Sequence, residues 1–286
     1  MIGPELLNKM EILFIGSRSN VLNGLLNYYN YKIDIWALSD SYLENDLVNR
    51  NIYYNAFELN DKEKMIDHVL SKNYDVLISN GCPFILPVVN KVMINVHPTY
   101  LPFLRGKTPL NGVFYNNMEF IGATMHYISD KIDGGNVIYQ DKHNISNELD
   151  QGLIYFLSFY LEGVVFLKGW EILLKSEFKF KGKPTDLSKG TYFNRTDDKT
   201  CIDFQKMETK DIVRVIKSFG IGSQGAWVKG VDENLKINKI FEASEINNEL
   251  LLSIYRRFKT GQLLLKYDNK LLIKTIDSIL KVNRYE

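Results

Sequence analysis

Two polar side chains lie at the end of a short apolar run near the middle of the sequence. Asn95 and His97 stand two residues apart in the run 93–97, and Pro98 follows. Side chains two apart in a strand project to the same face, and proline cannot continue the hydrogen-bond ladder, so both would project at the mouth of a strand. Taken alone, His97 is better explained as a hydrogen-bonded histidine at a strand end, and Asn95 as an amide that satisfies backbone groups.

A second polar segment, residues 130–135, reads Asp-Lys-Ile-Asp-Gly-Gly. The carboxylate of Asp133 followed by two glycines predicts a turn that comes close to a ligand, because glycine tolerates unusual backbone angles and leaves space. Taken alone, this segment is better explained as an ordinary polar turn between strands. Pro102 and Gly106, between the two segments, predict a tightly shaped loop and not a helix.

The elements that would position these residues alternate along the chain. Short apolar runs that predict buried strands are residues 11–16, 33–38, 74–79 and 93–97. One helical pattern begins after the capping residues 17–20. A second helical pattern spans residues 64–70. This alternation predicts a Rossmann-like α/β domain with a mostly parallel sheet and helices on both faces. Ligands of such sheets bind beyond the carboxyl ends of the strands, where His97 lies.

The remaining elements divide the chain into two predicted domains. Strands are expected at 122–128 and 136–140, before a long helix with one apolar stripe formed by Leu153, Phe156, Leu157, Tyr160, Leu161, Val164, Leu167 and Trp170. A polar linker at about 176–190 separates a domain of residues 1–185 from a smaller β-rich domain of residues 190–286. The second domain is predicted to have a helix from Thr209, as its cap, to Phe219, with strands at 226–228, 235–237, 263–267 and 270–274. The last two form a tight hairpin across Asp268-Asn269.

The composition is that of an ordinary soluble protein. The chain has 286 residues and a formal net charge of +1, which argues against an overall nucleic-acid footprint. Cys82 and Cys201, its two cysteines, cannot form a zinc site or a disulfide framework, and each is expected to be an ordinary thiol. We find no secretory signal and expect no membrane span, so the expectation is a cytoplasmic protein. Residues 1–9 carry no clear pattern and are read as an extension before Met10.

Together, these segments resemble the folate-dependent formyltransferase family, which includes glycinamide ribonucleotide, methionyl-tRNA and nucleotide-linked sugar N-formyltransferases. The resemblance runs in order from about residue 74 to 140. It rests on the segments 94–102, Arg105-Gly106, Pro109, 122–126 and 132–140.

The resemblance implies a reaction in which 10-formyltetrahydrofolate gives its formyl group to an amine, with no metal. His97 and Asn95 would stabilise the developing oxyanion, and Asp133 would hold the cationic amine and relay its proton. Asp133 would serve best with a pKa raised toward neutral, or by acting on the pKa of His97; the sequence leaves both open.

The resemblance also implies where the pterin of the donor binds, between the strand at 74–79 and Asn95. The implied cofactor-binding residues are Gly81, Pro83, Phe84, Ile85, Leu86 and Asp130. For any single side chain here, an ordinary strand-to-helix loop is an equally good explanation.

The segment 191–198 resembles the opening of the second domain in sugar-nucleotide N-formyltransferases, and the region 261–273 resembles the closing strands of an oligonucleotide-binding-like barrel. Residues 191–286 hold 17 Lys+Arg and 13 Asp+Glu, a small surplus for a tRNA-binding appendage. The candidate substrate-binding residues are Arg18, Tyr100, Arg105, Lys107, Tyr192, Phe193 and Arg195; each is also explained as a surface charge or a core aromatic.

The predicted acceptor is therefore a nucleotide-linked amino-dideoxy sugar, with dTDP as the nucleotide, used in the synthesis of surface polysaccharides such as the O-antigen of lipopolysaccharide. The sequence leaves open the sugar, the nucleotide and the position of the amine. The alternatives are a methionyl-tRNA formyltransferase and a non-catalytic folate- or nucleotide-binding regulator. The resemblance also implies a homodimer.

Overall fold

The computed structural model describes residues 10–231 and 238–283. Residues 1–9 and the strand expected at 235–237 lie outside the described residues. The chain divides into two compact units. One takes in the described residues up to Pro109, then Phe120–Asn144 and Phe156–Tyr192. The other takes in Leu110–Glu119, Ile145–Tyr155 and the described residues from Phe193 onward. The boundary expected between residues 185 and 190 stays a prediction.

The first unit is built on a seven-stranded sheet with the order β3-β2-β1-β4-β5-β6-β7. The strands are β1 Glu11–Gly16, β2 Lys32–Leu38, β3 Asn55–Phe57, β4 Val76–Asn80, β5 Val92–His97, β6 Phe120–Tyr127 and β7 Val137–Asn144. Strands β1 to β5 pair in parallel, whereas β6 and β7 pair antiparallel. The predicted mostly parallel α/β sheet is therefore confirmed, with β3 as a strand that the sequence analysis missed.

Amphipathic helices cover this sheet. The helices before β5 are α1 Asn20–Tyr28, α2 Tyr42–Asn49 and α3 Lys62–Ser71. Helix α1 buries Val21, Leu22 and Leu25, as its spacing predicts. Helix α2, which was not predicted, begins where the Ser41 side chain accepts a hydrogen bond from the Glu44 N–H.

Helix α5, Gln151–Lys175, is the longest in the described chain and follows the short α4, Gly112–Tyr115. Its buried face differs from the predicted stripe. Leu153, Phe156 and Tyr160 are exposed, whereas the side chains on the packed face are Ile154, Ser158, Leu161, Glu162, Val165, Phe166, Trp170 and Leu173. The predicted stripe was right for Leu161 and Trp170 and wrong for its exposed members. Apolar residues occur on most sides of this helix, so periodicity alone did not identify the packed face.

The same helix is long and apolar enough to cross a membrane by length and composition alone. The expectation that no segment comes near a membrane span was therefore wrong for Gln151–Lys175. Core helices of soluble proteins satisfy the same criterion, and Phe166 and Trp170 of α5 are fully buried within the protein.

The predicted linker is also partly structured. Lys183 exchanges two backbone hydrogen bonds with Val137, of 2.8 and 2.7 Å, and so extends the edge of the sheet beside β7. Its polar composition does not prevent this pairing, because the bonds are made by the backbone.

The second unit is rich in β-structure, as predicted. Its strands are β8 Cys201–Asp203, β9 Ala226–Lys229, β10 Lys239–Ile240, β11 Ala243–Ile246, β12 Leu263–Tyr267, β13 Lys270–Lys274 and β14 Ile279–Asn283. They pair as a three-stranded sheet and a four-stranded sheet. The predicted hairpin is confirmed by the pairing of Tyr267 with Lys270.

The helices of this unit after residue 190 are α6 Asp197–Thr200, α7 Thr209–Phe219 and α8 Glu249–Ile254. The bounds of α7 agree with the prediction, but its N-cap is Glu208. The Thr209 hydroxyl bonds instead to Thr275 and Asp277, at 2.6 Å each. Thr209 therefore ties the helix to the loop before β14.

Candidate active site

The site lies at the carboxyl end of β5, where three strands meet. Ser79 of β4 pairs with Asn95, and on the other side His126 of β6 stands opposite Asn95. His97 stands opposite Thr124. The sheet thus brings the two predicted side chains of β5 beside a second histidine.

His97 is buried and is held through one ring nitrogen. Its Nε2 lies 3.0 Å from the carbonyl oxygen of Leu104, which can only accept, so Nε2 carries a hydrogen. Its Nδ1 lies 3.5 Å from Oδ1 of Asp133. Nδ1 is therefore the atom of this ring that can exchange a proton with the site.

Asp133 is the point where the site residues converge. Its Oδ1 is also 3.5 Å from the Asn95 amide nitrogen and 3.8 Å from Nε2 of His126, and its Oδ2 accepts a 2.9 Å hydrogen bond from the Gly106 N–H. The backbone of Asp133 has a φ of 50°, the left-handed region that aspartate tolerates better than most residues.

Burial raises the pKa of Asp133, but His97, His126, the Gly106 N–H and Arg105 together lower it, and the net pKa lies below its ordinary value. The carboxyl group is therefore ionised at neutral pH. Of the two possibilities left open by the sequence, a raised pKa is wrong. The structure leaves Asp133 as a fixed negative charge beside His97.

His126 is a site residue to which the sequence analysis gave no role. Its Nδ1 donates to the carbonyl oxygen of Tyr127 at 2.9 Å, so the lone pair of Nε2 faces the Asn95 amide nitrogen at 3.1 Å. Complete burial lowers its pKa to about 4, so the ring is neutral and can accept that hydrogen bond. Its two-residue spacing from Thr124 on β6 was the available signal, because both side chains lie on the same face of the sheet.

The glycines after Asp133 have a backbone explanation. A Cβ atom on Gly135 would lie 1.8 Å from the carbonyl oxygen of Tyr127, so only glycine allows this approach to β6. The expected role of the glycine pair, close approach to a ligand, stays a prediction. What the structure assigns to Gly135 is the placement of the turn that carries Asp133.

The loop after His97 is held by Thr191, the first residue of the segment 191–198 that resembles sugar-nucleotide N-formyltransferases. The Leu104 N–H donates to the Thr191 hydroxyl at 2.8 Å, and the Arg105 N–H donates to the Thr191 carbonyl at 2.9 Å. The Thr191 N–H in turn donates to the Pro102 carbonyl at 3.2 Å. These bonds fix Leu104, whose carbonyl orients His97.

The residues predicted to bind the cofactor differ in burial. Gly81 has a φ of 80°, and its carbonyl accepts a 2.9 Å hydrogen bond from the Ser17 hydroxyl. Leu86 is buried in an apolar cluster to which Phe84 also packs, whereas Ile85 is 66% exposed. Pro83 is half-buried and Asp130 is exposed. Their roles toward the pterin stay predictions.

Cys82 lies within the same segment. Burial raises the pKa of its thiol to about 11, so the thiol stays protonated at neutral pH and is a poor nucleophile.

The predicted substrate-binding residues of the first unit differ in whether their side chains are already paired or packed. The Arg18 guanidinium is already paired with buried Glu162, at 2.7 Å. The ring of Tyr100 packs edge-on against Phe120. Arg105 Nε is buried with no hydrogen-bond partner among the described residues. Lys107 is exposed, and Tyr192 is 48% exposed.

Two further candidates lie in the second unit. Phe193 is 1% exposed and packs against Tyr115 with ring centroids 5.2 Å apart, as a core aromatic does. Its predicted role as a substrate contact would require this side chain to be uncovered. Arg195 is exposed. Within residues 10–231 and 238–283, no group of three or more His, Cys, Asp or Glu side chains is arranged to hold a metal ion.

Sequence comparison identifies the class of this site. Residues 39–156 match the family described as Formyl transferase, a range that contains Asn95, His97, His126 and Asp133. This match covers 118 of the 286 residues and agrees with the resemblance to the folate-dependent formyltransferase family on which the sequence analysis rests. The first of the relatives described below is matched over about a third of its own length, 34%.

Curated relatives include methionyl-tRNA formyltransferases and deformylases. The chain is 32% identical over 107 residues to the methionyl-tRNA formyltransferase of Clostridioides difficile, covering 36% of this chain and 34% of that protein. It is 25% identical over 235 residues to that of Clostridium beijerinckii, covering 78% and 73%. It is 37% identical over 73 residues to formyltetrahydrofolate deformylase of Escherichia coli K12, covering 26% and 25%.

Similar solved structures show the fold. A sugar N-formyltransferase from Shewanella sp. has a TM-score of 0.66 at 17% identity, over 84% of this chain and 99% of that one. The sugar 3N-formyltransferase WlaRD, solved in the presence of dTDP and 5-N-formyl-THF, has a TM-score of 0.64 at 18% identity, over 96% and 98%. HypX from Aquifex aeolicus, in complex with tetrahydrofolic acid, has a TM-score of 0.63 at 19% identity, over 96% and 44%.

Proposed function

We propose that this protein transfers the formyl group of 10-formyltetrahydrofolate to the amino group of a dTDP-linked amino-dideoxy sugar. The observation that carries the chemistry is the convergence of Asn95, His97 and His126 on Asp133 Oδ1. The site holds hydrogen-bond donors beside one ionised carboxylate, the set that acyl transfer to an amine requires.

In the proposed mechanism, the acceptor nitrogen attacks the formyl carbon and a carbon–nitrogen bond forms. Negative charge develops on the formyl oxygen, which accepts a hydrogen bond from the Asn95 amide and, when Nδ1 carries a proton, from the His97 ring. One Asn95 N–H is held by neutral His126 at 3.1 Å, while its bond to Asp133 is long, at 3.5 Å, and can be exchanged for the oxyanion.

Positive charge develops at the same time on the acceptor nitrogen. The ionised carboxylate of Asp133 stabilises this cation. The proton then leaves the nitrogen through Asp133 and water and reaches N10 of the donor. The bond between the formyl carbon and N10 breaks, and tetrahydrofolate departs with the electron pair as a neutral amine.

The sugar nucleotide is proposed from three observations. The segment 191–198 resembles sugar-nucleotide enzymes, and its first residue, Thr191, is hydrogen-bonded to the loop that orients His97. The WlaRD structure, which shares the fold, was solved with dTDP and a formyl-THF. The buried and unpartnered Nε of Arg105 offers a donor to an anionic substrate group.

A second candidate is methionyl-tRNA formyl transfer, because two of the curated relatives carry that activity in their names. Purified protein is incubated with 10-formyltetrahydrofolate and either a panel of dTDP- and UDP-amino sugars or charged methionyl-tRNA. Formylation of one of the sugars, detected by mass spectrometry, supports the proposal. No sugar turnover alongside turnover of methionyl-tRNA refutes it in favour of the second candidate.

A non-catalytic folate-binding regulator is the remaining alternative. It predicts binding of the donor without transfer to either class of acceptor. Release of tetrahydrofolate that requires an amine acceptor excludes it. A no-acceptor control measures hydrolysis of the donor, the activity in the name of the deformylase relatives.

A further inference from the structure

A charged pair that the proposed reaction does not use is buried behind the end of β5. Glu162 of α5 is fully buried, and its two carboxylate oxygens lie 2.7 and 2.8 Å from Nη2 and Nε of Arg18. A buried bidentate pair must offset the cost of removing two charges from water, and it often adds little net stability.

The arginine reaches the strand that carries His97. Arg18 Nη2 lies 3.5 Å from the carbonyl oxygen of Val96, the residue before His97. The Asn80 amide, at the end of β4, donates a hydrogen bond to the same carbonyl at 3.2 Å. The pair and Asn80 thus hold the last peptide of β5.

The arginine also lies against the start of the predicted pterin segment. A Cβ atom on Gly81 would lie 2.7 Å from Arg18 Nη1 and 2.4 Å from the Ser17 hydroxyl. Ser17 completes the contact, because its N–H donates to the Asn80 carbonyl at 3.0 Å and its hydroxyl to the Gly81 carbonyl at 2.9 Å. The turn at Asn80–Gly81 is therefore packed directly on the guanidinium.

The groups around Glu162 favour its ionised form. Burial raises the pKa of Glu162, and Arg18, Asn80 and His97 oppose that rise. Arg18 in turn packs over the ring of Phe159 on α5, 5.0 Å from its centroid. Both members of the pair are thus fixed on several sides.

We propose that Arg18 and Glu162 are a positioning pair that holds the Asn80–Gly81 turn and the Val96–His97 peptide in one fixed relation, so that the formyl donor bound at the turn meets His97. This inference rests on the proposed function. It also gives Arg18 a role different from the substrate contact predicted from sequence, because its guanidinium is occupied by Glu162. The pair acts on the donor side, so the acceptor should bind independently of it.

The test removes the pair without leaving a buried charge alone. The double variant Arg18→Met/Glu162→Met is compared with wild type and with Glu171→Gln, a charge removal on the same helix at a 60% exposed side chain. Melting temperature, the Kd of 5-formyltetrahydrofolate, and kcat and KM for donor and acceptor are measured well below the melting temperature. The double variant should stay folded, since replacing a buried pair by apolar residues is often neutral.

The expected result is a loss of about 10- to 100-fold in kcat/KM for the donor, with an unchanged KM for the acceptor. Glu171→Gln should behave as wild type. Wild-type donor kinetics in a folded double variant would overturn the proposal, because the pair would then serve stability alone. If the double variant does not fold, Arg18→Lys replaces it, and the same donor-specific loss is required.

Failure of the proposed function is a separate outcome. If wild type transfers formyl groups to no sugar, the Kd of 5-formyltetrahydrofolate still tests the positioning pair. The proposal then requires about tenfold weaker binding in the double variant and no change in Glu171→Gln. Equal binding in all three proteins would overturn it.

Discussion

His97 has one nitrogen free to act, because Nε2 is committed to the Leu104 carbonyl at 3.0 Å. The other nitrogen shares the Oδ1 atom of Asp133 with the Asn95 amide. The lowered pKa of Asp133 keeps that carboxylate ionised at neutral pH, so it can hold the cationic amine before it relays the proton. At the scale of single residues, the proposed chemistry therefore depends on a histidine whose orientation and charge environment are both fixed.

Replacing His97 by alanine tests its role. We expect His97→Ala to reduce kcat by about two to four orders of magnitude while nearly retaining folate binding, since a charge-stabilising group is lost and the pterin segment is not touched. Steady-state kinetics and fluorescence titration with 5-formyltetrahydrofolate give the two quantities. His143→Ala, at an exposed histidine of β7, is the matched control. Full activity in His97→Ala would refute the assignment.

His126 predicts a pH dependence of stability. Its pKa of about 4 in the folded protein lies below the ordinary value of 6.5, so the folded state favours the neutral ring. This contribution is fully present above about pH 6.5 and is lost as the pH falls toward 4, by an amount on the order of 3 kcal/mol. Urea unfolding of wild type and His126→Gln between these pH values measures it.

The glutamine variant keeps an acceptor for Asn95 but cannot titrate. Its free energy of unfolding should therefore fall less than that of wild type over the same pH range. His143→Gln, which changes an exposed histidine, should show the same pH dependence of the free energy of unfolding as wild type. Parallel curves for wild type and His126→Gln would contradict the buried neutral ring.

At the scale of elements, the loop from Pro98 to Gly106 connects the chemistry to the acceptor segment. Its backbone is held by Thr191 at three points, and its Gly106 N–H holds Asp133. The loop thus sets the distance between the end of β5 and the turn that carries Asp133.

Thr191→Val removes the hydroxyl that accepts the Leu104 N–H. The unsatisfied N–H should cost about 1 kcal/mol of stability, and displacement of the Leu104 carbonyl should lower kcat about tenfold. Thr191→Ser keeps the hydroxyl and should restore both values. Chemical denaturation and steady-state kinetics measure them. A valine variant as active as the serine variant would show that this bond does not position His97.

The strands of the first sheet were predicted from the sequence to within about two residues, except β3, which was missed, and β7, which continues to Asn144 and not only to residue 140. Apolar runs in parallel strands are distinctive, whereas α2 and β3 have few buried residues, such as Leu43, Leu47 and Phe57, and gave no periodic signal. Periodicity also failed to identify the packed face of α5. There, the buried polar Glu162 lies on the packed face and exposed Phe156 does not.

Within the site, the sequence analysis identified Asn95, His97 and Asp133 through a motif. The partners that orient them were not identified, because they come from distant segments. Asn95 and His126 are 31 residues apart, and Arg18 and Glu162 are 144 residues apart. Only the register of β5 against β6 and the packing of α5 bring these pairs together.

At the scale of the whole molecule, the net charge of +1 favours a small anionic acceptor over a polyanion. We expect the KM for the dTDP-amino sugar to change less than about fivefold between about 50 and 200 mM salt. A tRNA acceptor that contacts several phosphates would lose about 10³-fold in affinity over the same range. Steady-state kinetics in a salt series distinguish the two, and a steep salt dependence would contradict the sugar nucleotide.

The most direct test is the rate of tetrahydrofolate release by wild type and Asp133→Asn, with and without the amine acceptor. Asparagine preserves the shape and tolerates the positive φ of this position, but it cannot carry the negative charge. The account predicts amine-dependent release in wild type, with one formylated amine per tetrahydrofolate, and a loss of about two to four orders of magnitude in the variant. Equal rates in the two proteins, or release that does not depend on the amine, would contradict it.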